Sequence, residues 1–148
     1  MKIRSSGFTL IELLVVVAIL GILAAVGITS YSGYVSSTKM KSTENIMRQI
    51  ALGQTEYYSE NSTYFGGSSS SCTPSIKTSE SIEEKLLGGA KVIIDPNKTP
   101  KETTSGYNIC VADHATNFQV YAVEVDDDKP CKITLYANNE LKRDTNCK

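Results

Sequence analysis

Hydrophobic side chains are concentrated near the amino-terminal end of the chain. The 21 residues from Phe8 to Ile28 contain a single ionisable side chain, that of Glu12. A helix that crosses a bilayer needs ~20 apolar residues, so this segment is long enough to span a membrane. Lys2 and Arg4 precede it, and positive charge at this position predicts that the amino-terminal end stays in the cytoplasm.

The pattern after this apolar segment is still helical, but it becomes amphipathic. No proline occurs between Phe8 and Thr73. Apolar and amide side chains recur every three or four residues and form one stripe along a helix face. The stripe consists of Ile46, Met47, Ile50, Ala51, Gln54, Tyr57 and Tyr58. We therefore expect one helix from about residue 8 to about residue 59.

The last third of the chain alternates between apolar and polar positions, as β-strands do. The alternating runs are residues 107–113, 118–125 and 132–136, and turn residues separate them. They predict an antiparallel meander, whose apolar face can cover the amphipathic half of the helix. The expected fold class is α+β, with a long amino-terminal helix packed against a small antiparallel sheet.

Shorter elements are predicted between the helix and the meander, and after it. Residues 66–71, rich in glycine and serine, predict a polar loop, and residues 79–87 a short helix that ends at Gly88-Gly89. Val92 to Ile94 predict a short strand. Residues 141–148 predict an extended tail.

Composition excludes several function classes. The chain has 148 residues, a formal net charge of −1 and one histidine. It has no nucleophile motif and no glycine-rich phosphate loop, so we predict no enzyme and no cofactor. The weak acidity argues against a dedicated nucleic-acid surface, which needs clustered Lys and Arg.

The four cysteines predict disulfides rather than a metal site. No two of the four cysteines are spaced as closely as the ligand pairs of zinc sites. They are Cys72, Cys110, Cys131 and Cys147. An even number of cysteines on an exported chain favours two disulfides. Three connectivities are possible, and the spacing does not choose among them.

The amino-terminal run Gly7-Phe8-Thr9-Leu10-Ile11-Glu12-Leu13 resembles the class III signal of type IV prepilins. The resemblance implies that a prepilin peptidase cuts between Gly7 and Phe8 and that the new amino group of Phe8 is methylated. A carboxylate inside a bilayer helix costs at least ~2.5 kcal/mol and usually has a partner. For Glu12 the resemblance implies that this partner is the Phe8 amine of a neighbouring subunit.

Later segments extend the resemblance. The pattern Gln54-x-x-Tyr57-Tyr58-x-x-Asn61-x-x-Tyr64 is similar to the end of the long helix in type IVa pilins. The segment from Cys131 to Cys147 looks like their closing disulfide loop, which implies the pairs Cys131–Cys147 and Cys72–Cys110. The implied organisation is a leader at 1–7, a membrane or filament-core helix at 8–34 and a globular pilin domain at 35–148.

The resemblance implies a structural subunit of an extracellular type IV pilus. Such a subunit waits in the inner membrane, is processed by the prepilin peptidase, and polymerises with copies of itself into a helical filament at a motor-driven assembly platform. In related filaments the helix can unwind near its middle. Gly27 is the candidate point here, although a small glycine face also permits close helix packing.

Two alternative functions stay open. The first is a pseudopilin of a type II secretion system, in which Asp126 to Asp128 could imitate a calcium loop, although consecutive aspartates are more typical of a solvated turn. The second is a DNA-binding minor pilin for DNA uptake. Its candidate basic patch is Lys129, Lys132, Lys142, Arg143 and Lys148. Nearby aspartates dilute this patch, so nucleic-acid binding is not the favoured prediction.

Overall fold

The α+β fold predicted from the sequence is confirmed. The computed structural model describes residues 7–66, 71–114, 116–125 and 127–147. Its elements are α1 (Leu10–Asn61), α2 (Ile76–Leu86), β1 (Tyr107–Asp113), β2 (Phe118–Glu124), β3 (Lys132–Tyr136) and β4 (Leu141–Arg143). Expectations for residues 1–6, for 67–70 of the serine tract, for Asp126 and for Lys148 lie outside the described residues.

The chain divides between Ser36 and Ser37 into two units. The amino-terminal unit contains the first part of α1, and from Gly7 to Tyr34 every side chain that the structure describes is exposed. An 18-residue stretch of α1 has a mean hydropathy of 2.8, and none of that stretch is buried. By length and composition it can cross a membrane. The helix is continuous through Gly27.

The second part of α1 belongs to the carboxyl-terminal unit and has one buried face. Met40, Met47 and Ile50 are buried at helical spacing, and Gln54 continues the same face. The predicted stripe is therefore the packed face of the helix, except that Tyr58 at its end is exposed. The helix ends at Asn61, two residues later than expected.

Four antiparallel strands form the sheet, in the order β1-β2-β3-β4. Each strand neighbours the next one in the chain, so the predicted meander is present with one additional strand. One face of the sheet is apolar and packs into the core with α1 and α2. Its buried residues are Tyr107, Ile109, Val111, Phe118, Val120, Ala122, Ile133 and Leu135.

The start of α2 differs from the sequence prediction. Ser75 is the N-cap: its hydroxyl accepts from the Thr78 N–H at 3.2 Å, and the Thr78 hydroxyl accepts from the Ser75 N–H at 2.9 Å. This reciprocal cap starts the helix at Ile76 instead of residue 79. Past its end, Gly88 has a φ of +60° and the Gly89 N–H donates to the Glu83 carbonyl at 2.8 Å, so the predicted glycine terminus is confirmed.

The short strand predicted at Val92 to Ile94 is wrong. The Glu83 side chain of α2 is fully buried, and its Oε1 accepts from the backbone N–H groups of Ile93 and Ile94 at 2.7 and 2.9 Å. Because a carboxylate takes these donors, the segment forms only an isolated bridge between Ile94 and Thr103.

The extended tail predicted at residues 141–148 is also shorter than expected. Only Leu141–Arg143 forms a strand, β4, which pairs with β3. After it the chain turns, because the Asp144 carboxylate accepts from the Asn146 N–H at 3.1 Å and the Asp144 carbonyl accepts from the Cys147 N–H at 3.3 Å. This turn brings Cys147 back toward the start of β3.

Candidate functional site

The boundary between Gly7 and Phe8 lies outside regular structure. Residues 7–9 precede α1, and Phe8 is 79% exposed. A Cβ atom at Gly7 would meet nothing within 4 Å. A peptidase must bind an accessible, non-helical segment, and this boundary satisfies both conditions.

Thr9 and Glu12 form a capping box at the start of α1. The Glu12 Oε2 accepts from the Thr9 N–H at 2.9 Å and from the Thr9 hydroxyl at 2.6 Å. The Thr9 Oγ1 accepts from the Glu12 N–H at 3.3 Å. These bonds satisfy backbone groups that a helix start leaves without partners. Thr9 was not among the site residues predicted from the sequence, although its Thr-x-x-Glu spacing is a known capping signal.

The Glu12 carboxylate has no cationic partner among the described residues. Its Oε2 is engaged by Thr9, whereas Oε1 makes no hydrogen bond within that part of the chain. Apolar side chains surround it: Phe8, Ile11, Val15 and Val16 line a shallow surface hollow beside it. A charge in this setting is suited to pairing with a cation from another molecule.

The apolar surface that follows Glu12 is continuous along this part of α1. The exposed side chains include Leu13, Leu14, Val17, Ile19, Leu20, Ile22, Leu23, Val26 and Ile28. A monomeric protein in water rarely exposes an apolar surface of this extent, and such surfaces mark membrane or protein contacts.

The carboxyl-terminal unit contains two disulfides. Cys72 is joined to Cys110 and Cys131 to Cys147, which are the pairs that the resemblance implies. The first attaches the segment after the serine tract to β1. The second links the start of β3 to the turn that follows β4, so it closes the carboxyl-terminal loop.

Arg143 of the predicted basic patch is occupied by an ion pair with α1. Its Nε and Nη2 contact Glu44 Oε1 at 2.5 Å, and the Lys41 Nζ contacts Glu44 Oε2 at 3.3 Å. Burial raises the pKa of Glu44, but the hydrogen bonds from Arg143 and Lys41 outweigh it and lower the pKa overall. Arg143 therefore links β4 to α1, and its charge is compensated by Glu44.

The aspartate run behaves as a turn in the part that the structure describes. The Asp127 Oδ1 accepts from the Lys129 N–H at 2.9 Å, a local bond typical of Asx turns. The only potential metal-ligand cluster found among the described residues is Cys131, Asp144 and Cys147. Both sulfurs of that cluster are in a disulfide, so the residues do not fit a metal site.

The chain has a pilin-like arrangement of elements: a long helix with an exposed apolar first half, then a small antiparallel sheet and a disulfide-closed carboxyl-terminal loop. The family model for the prokaryotic N-terminal methylation motif matches residues 2–28. These residues include the Gly7–Phe8 boundary and Glu12. No solved structure matches the chain.

The chain is also similar to curated fimbrial proteins and pilins. Fimbrial protein EcpC of Eikenella corrodens is 42% identical over 60 residues, covering 40% of this chain and 39% of that protein. A fimbrial protein of Neisseria meningitidis is 33% identical over 92 residues, covering 62% and 52% of the two chains. The type IV major fimbrial protein FimA of Dichelobacter nodosus is 55% identical over 40 residues, covering 27% and 25%.

The chain therefore spans between a quarter and about half the length of these relatives. The matches confirm its resemblance to type IV pilins, which are structural subunits and not enzymes.

Proposed function

We propose that the protein is the structural subunit of an extracellular type IV pilus. The observation that carries this proposal is the exposed apolar first half of α1, which begins at a methylation motif with one acid, Glu12, near its start. The carboxyl-terminal unit already buries its own core, whereas the described side chains of this half-helix are exposed. Copies of the same helix would supply the missing surface.

The proposed sequence of events follows from the two states of this helix. In the inner membrane, lipid covers the apolar side chains, and the prepilin peptidase cuts between Gly7 and Phe8 before Phe8 is methylated. In the filament, other copies of α1 cover them instead. The apolar residues are out of water in both states, so burial at ~25 cal/mol per Å² cannot by itself drive extraction. An assembly platform with an external energy source has to supply that work.

Glu12 is proposed to select the docking position of an incoming subunit. Cleavage creates a positive amine on Phe8, and the free Oε1 of Glu12 is a suitable partner for the amine of a neighbouring copy. An ion pair in a low-dielectric core is much stronger than in water. It would also offset the cost of keeping the Glu12 charge among apolar side chains.

Processing can be tested on filaments sheared from the native cell. Mass spectrometry of the subunit should show an amino terminus at Phe8 with one additional methyl group on its nitrogen. A subunit that starts at Met1, or one that starts within residues 21–35 because the apolar segment has been removed, would contradict the prepilin assignment.

Assembly is tested by replacing Glu12 and counting filaments. Glu12→Ala and Glu12→Gln remove the charge, so both variants should insert into the membrane and be processed, yet build few or no filaments. Both also weaken the capping box. Thr9→Val is the matched control, because it removes the cap hydroxyl and keeps the charge, and it should build clearly more filaments than Glu12→Ala.

Two outcomes would contradict this role of Glu12. Normal filament numbers from Glu12→Ala would show that the acid is not needed for docking. Equal losses from Glu12→Ala and Thr9→Val would assign the effect to helix capping and not to the charge.

A further inference from the structure

The face of the sheet that points away from the core is a polar and aromatic surface. Strand pairing places Cys110, Tyr121, Thr134 and Lys142 in one row across the four strands. Successive side chains of a strand point to opposite faces, so this row lies opposite the apolar core face. Neighbouring rows on the same face contain Asn108, Val123, Lys132, Ala112, Gln119 and Tyr136.

A groove crosses this outer face. The Cys72–Cys110 disulfide holds the segment from Cys72 to Pro74 against the face, where it forms one wall of the groove. Tyr121, Val123, Lys132 and Thr134 are among the residues that line the rest. The groove has a volume of about 590 Å³, which is in the range of small-ligand sites.

The tyrosines on this face are held in defined positions. The Tyr121 hydroxyl donates to the Gln119 Oε1. Burial, together with the neighbouring Tyr136, raises the pKa of Tyr121, so the phenol stays protonated. The Lys142 Nζ lies 5.1 Å from the centre of the Tyr136 ring, within the range of a cation–π contact. Partly exposed tyrosine rings can pack against an apolar ligand face, and their hydroxyls can bind its polar groups.

The charged strand residues of this face are all positive. Its strand residues include two lysines, Lys132 and Lys142, and no carboxylate. Lys142 contacts Glu140 of the adjoining turn at 3.6 Å and keeps 62% of its side chain exposed, while Lys132 forms no ion pair with any described residue. The chain as a whole is weakly acidic, so this face is positive against its surroundings and complements an anion.

We propose that this groove, with the adjoining Tyr136–Lys142 pair, binds an acidic polysaccharide of the uronate type. The apolar C–H faces of its sugar rings match the tyrosine rings. Its many hydroxyl groups match the hydroxyl and amide groups of the face, and the one carboxylate on each sugar matches the lysines. Single-stranded nucleic acid fits less well, because it needs a longer series of cations and stacking rings than two lysines and two tyrosines provide. The inference is independent of the proposed pilus function, since it concerns a surface present on one subunit.

The test uses the full chain in detergent micelles and fluorescently labelled oligogalacturonate as the probe. The wild type should bind the probe, and added salt should weaken the binding. The variant Lys132→Gln/Lys142→Gln should bind roughly tenfold more weakly, because two exposed ion pairs are lost. Lys85→Gln/Lys101→Gln is the matched control, since it removes two similarly exposed lysines elsewhere, and it should bind as the wild type does.

The aromatic part of the site is tested separately with Tyr136→Leu. This variant keeps an apolar side chain and loses the ring, and it should bind the probe several-fold more weakly. Thermal unfolding of every variant, followed by circular dichroism, shows whether the fold is retained. If Tyr136→Leu unfolds early, Tyr121→Phe replaces it, because it loses only the hydroxyl and should still weaken binding.

Several results would overturn the proposal. They are an absence of oligogalacturonate binding by the wild type, unchanged binding by the Lys132 and Lys142 double variant, and equal binding of neutral maltodextrin of the same length. Tighter binding of a single-stranded oligothymidylate through the same lysines would also overturn it and would indicate a nucleic-acid surface instead.

Discussion

The two parts of α1 differ in the exposure of their apolar side chains. In the carboxyl-terminal unit the helix buries Met47 and Ile50 completely against the core. In the amino-terminal unit, side chains such as Leu10 and Ile22 are 82% and 68% exposed. In one continuous helix, the second part therefore packs into the core of its own unit, whereas the described side chains of the first part up to Tyr34 are exposed.

The acids of the two units differ in the same way. Glu83 has a cation and backbone donors from its own unit, and Glu44 has two cations. Glu12 has only its capping partner Thr9 among the described residues. The acids of the carboxyl-terminal unit are therefore satisfied within that unit. Under the proposed function, lipid or further copies of the chain cover the amino-terminal unit.

The largest loss of stability is expected when the buried hydrogen bonds of Glu83 are removed. Glu83→Ala leaves two buried backbone N–H groups without an acceptor, and we expect a loss of about 4 kcal/mol in the free energy of unfolding. Glu84→Ala is the matched control, because the neighbouring Glu84 side chain is 74% exposed, and it should change stability by less than ~0.5 kcal/mol. Urea unfolding of the full chain in micelles measures both. Similar losses in the two variants would contradict the role of Glu83.

An intermediate effect on stability is expected when a glycine of α1 is replaced by alanine, and the direction differs between the two units. A Cβ atom at Gly53 would lie 2.4 Å from the Leu86 carbonyl oxygen, whereas one at Gly33 would meet nothing within 4 Å. Gly53→Ala should therefore lose roughly 2 kcal/mol by overpacking α1 against α2.

Gly33→Ala serves as the comparison for Gly53→Ala. It should not destabilise the isolated chain, because alanine favours a helix by up to ~1 kcal/mol over glycine. Thermal unfolding followed by circular dichroism separates the two variants. A lower melting temperature for Gly33→Ala would show that the amino-terminal half of α1 already has close internal contacts.

The smallest effect is expected at the Glu44–Arg143 pair. Arg143→Gln should cost about 1 kcal/mol, because the arginine side chain is 39% exposed and solvent weakens the pair. The pKa of Glu44 is lowered in the folded protein from its ordinary value of 4.5. The stability that the pair contributes is therefore present above that value and is lost as the pH falls through the lowered pKa.

Unfolding of the wild type and Arg143→Gln should accordingly differ at pH 7 and converge in acid, below the lowered pKa of Glu44. The variant Glu44→Gln/Arg143→Gln provides the control, because it removes both charges. A difference between wild type and Arg143→Gln that is the same at every pH would contradict the ion pair as its cause.

The sequence predicted the parts of this fold that depend on local periodicity. The long helix, the amphipathic stripe and the three strands of the meander all follow from spacings of two, three or four residues. The features that the sequence did not predict depend on side chains that hydrogen-bond to the backbone. Their backbone partners are distant in the sequence, or the residue types are an unusual pair for such a bond. Glu83 reaches the N–H groups of Ile93 and Ile94, ten and eleven residues away, and apolar composition alone suggested a strand there.

The site was predictable to the same degree. Gly7, Phe8 and Glu12 follow from a linear motif, and they lie together at the start of α1. The capping role of Thr9 has a recognisable signal in its spacing to Glu12, whereas the cost of an acid within an apolar segment singles out Glu12 alone. The outer groove has no linear signal, because strand pairing brings Tyr121, Thr134 and Lys142 together from separate segments.

The segment between α1 and α2 is fixed at both ends by side chains. The Gln54 amide exchanges hydrogen bonds with the backbone of Phe65 at 2.6 and 2.9 Å, and Cys72 is held by its disulfide to Cys110. Gly66, just after the first anchor, is itself constrained, since a Cβ atom there would lie 2.9 Å from the Asp113 backbone nitrogen. Lengthening a loop twofold costs only ~0.6 kcal/mol, so an insertion after Gly66 and before Cys72 should leave the core intact. This makes the serine tract the natural position for inserting an epitope or a chemical label.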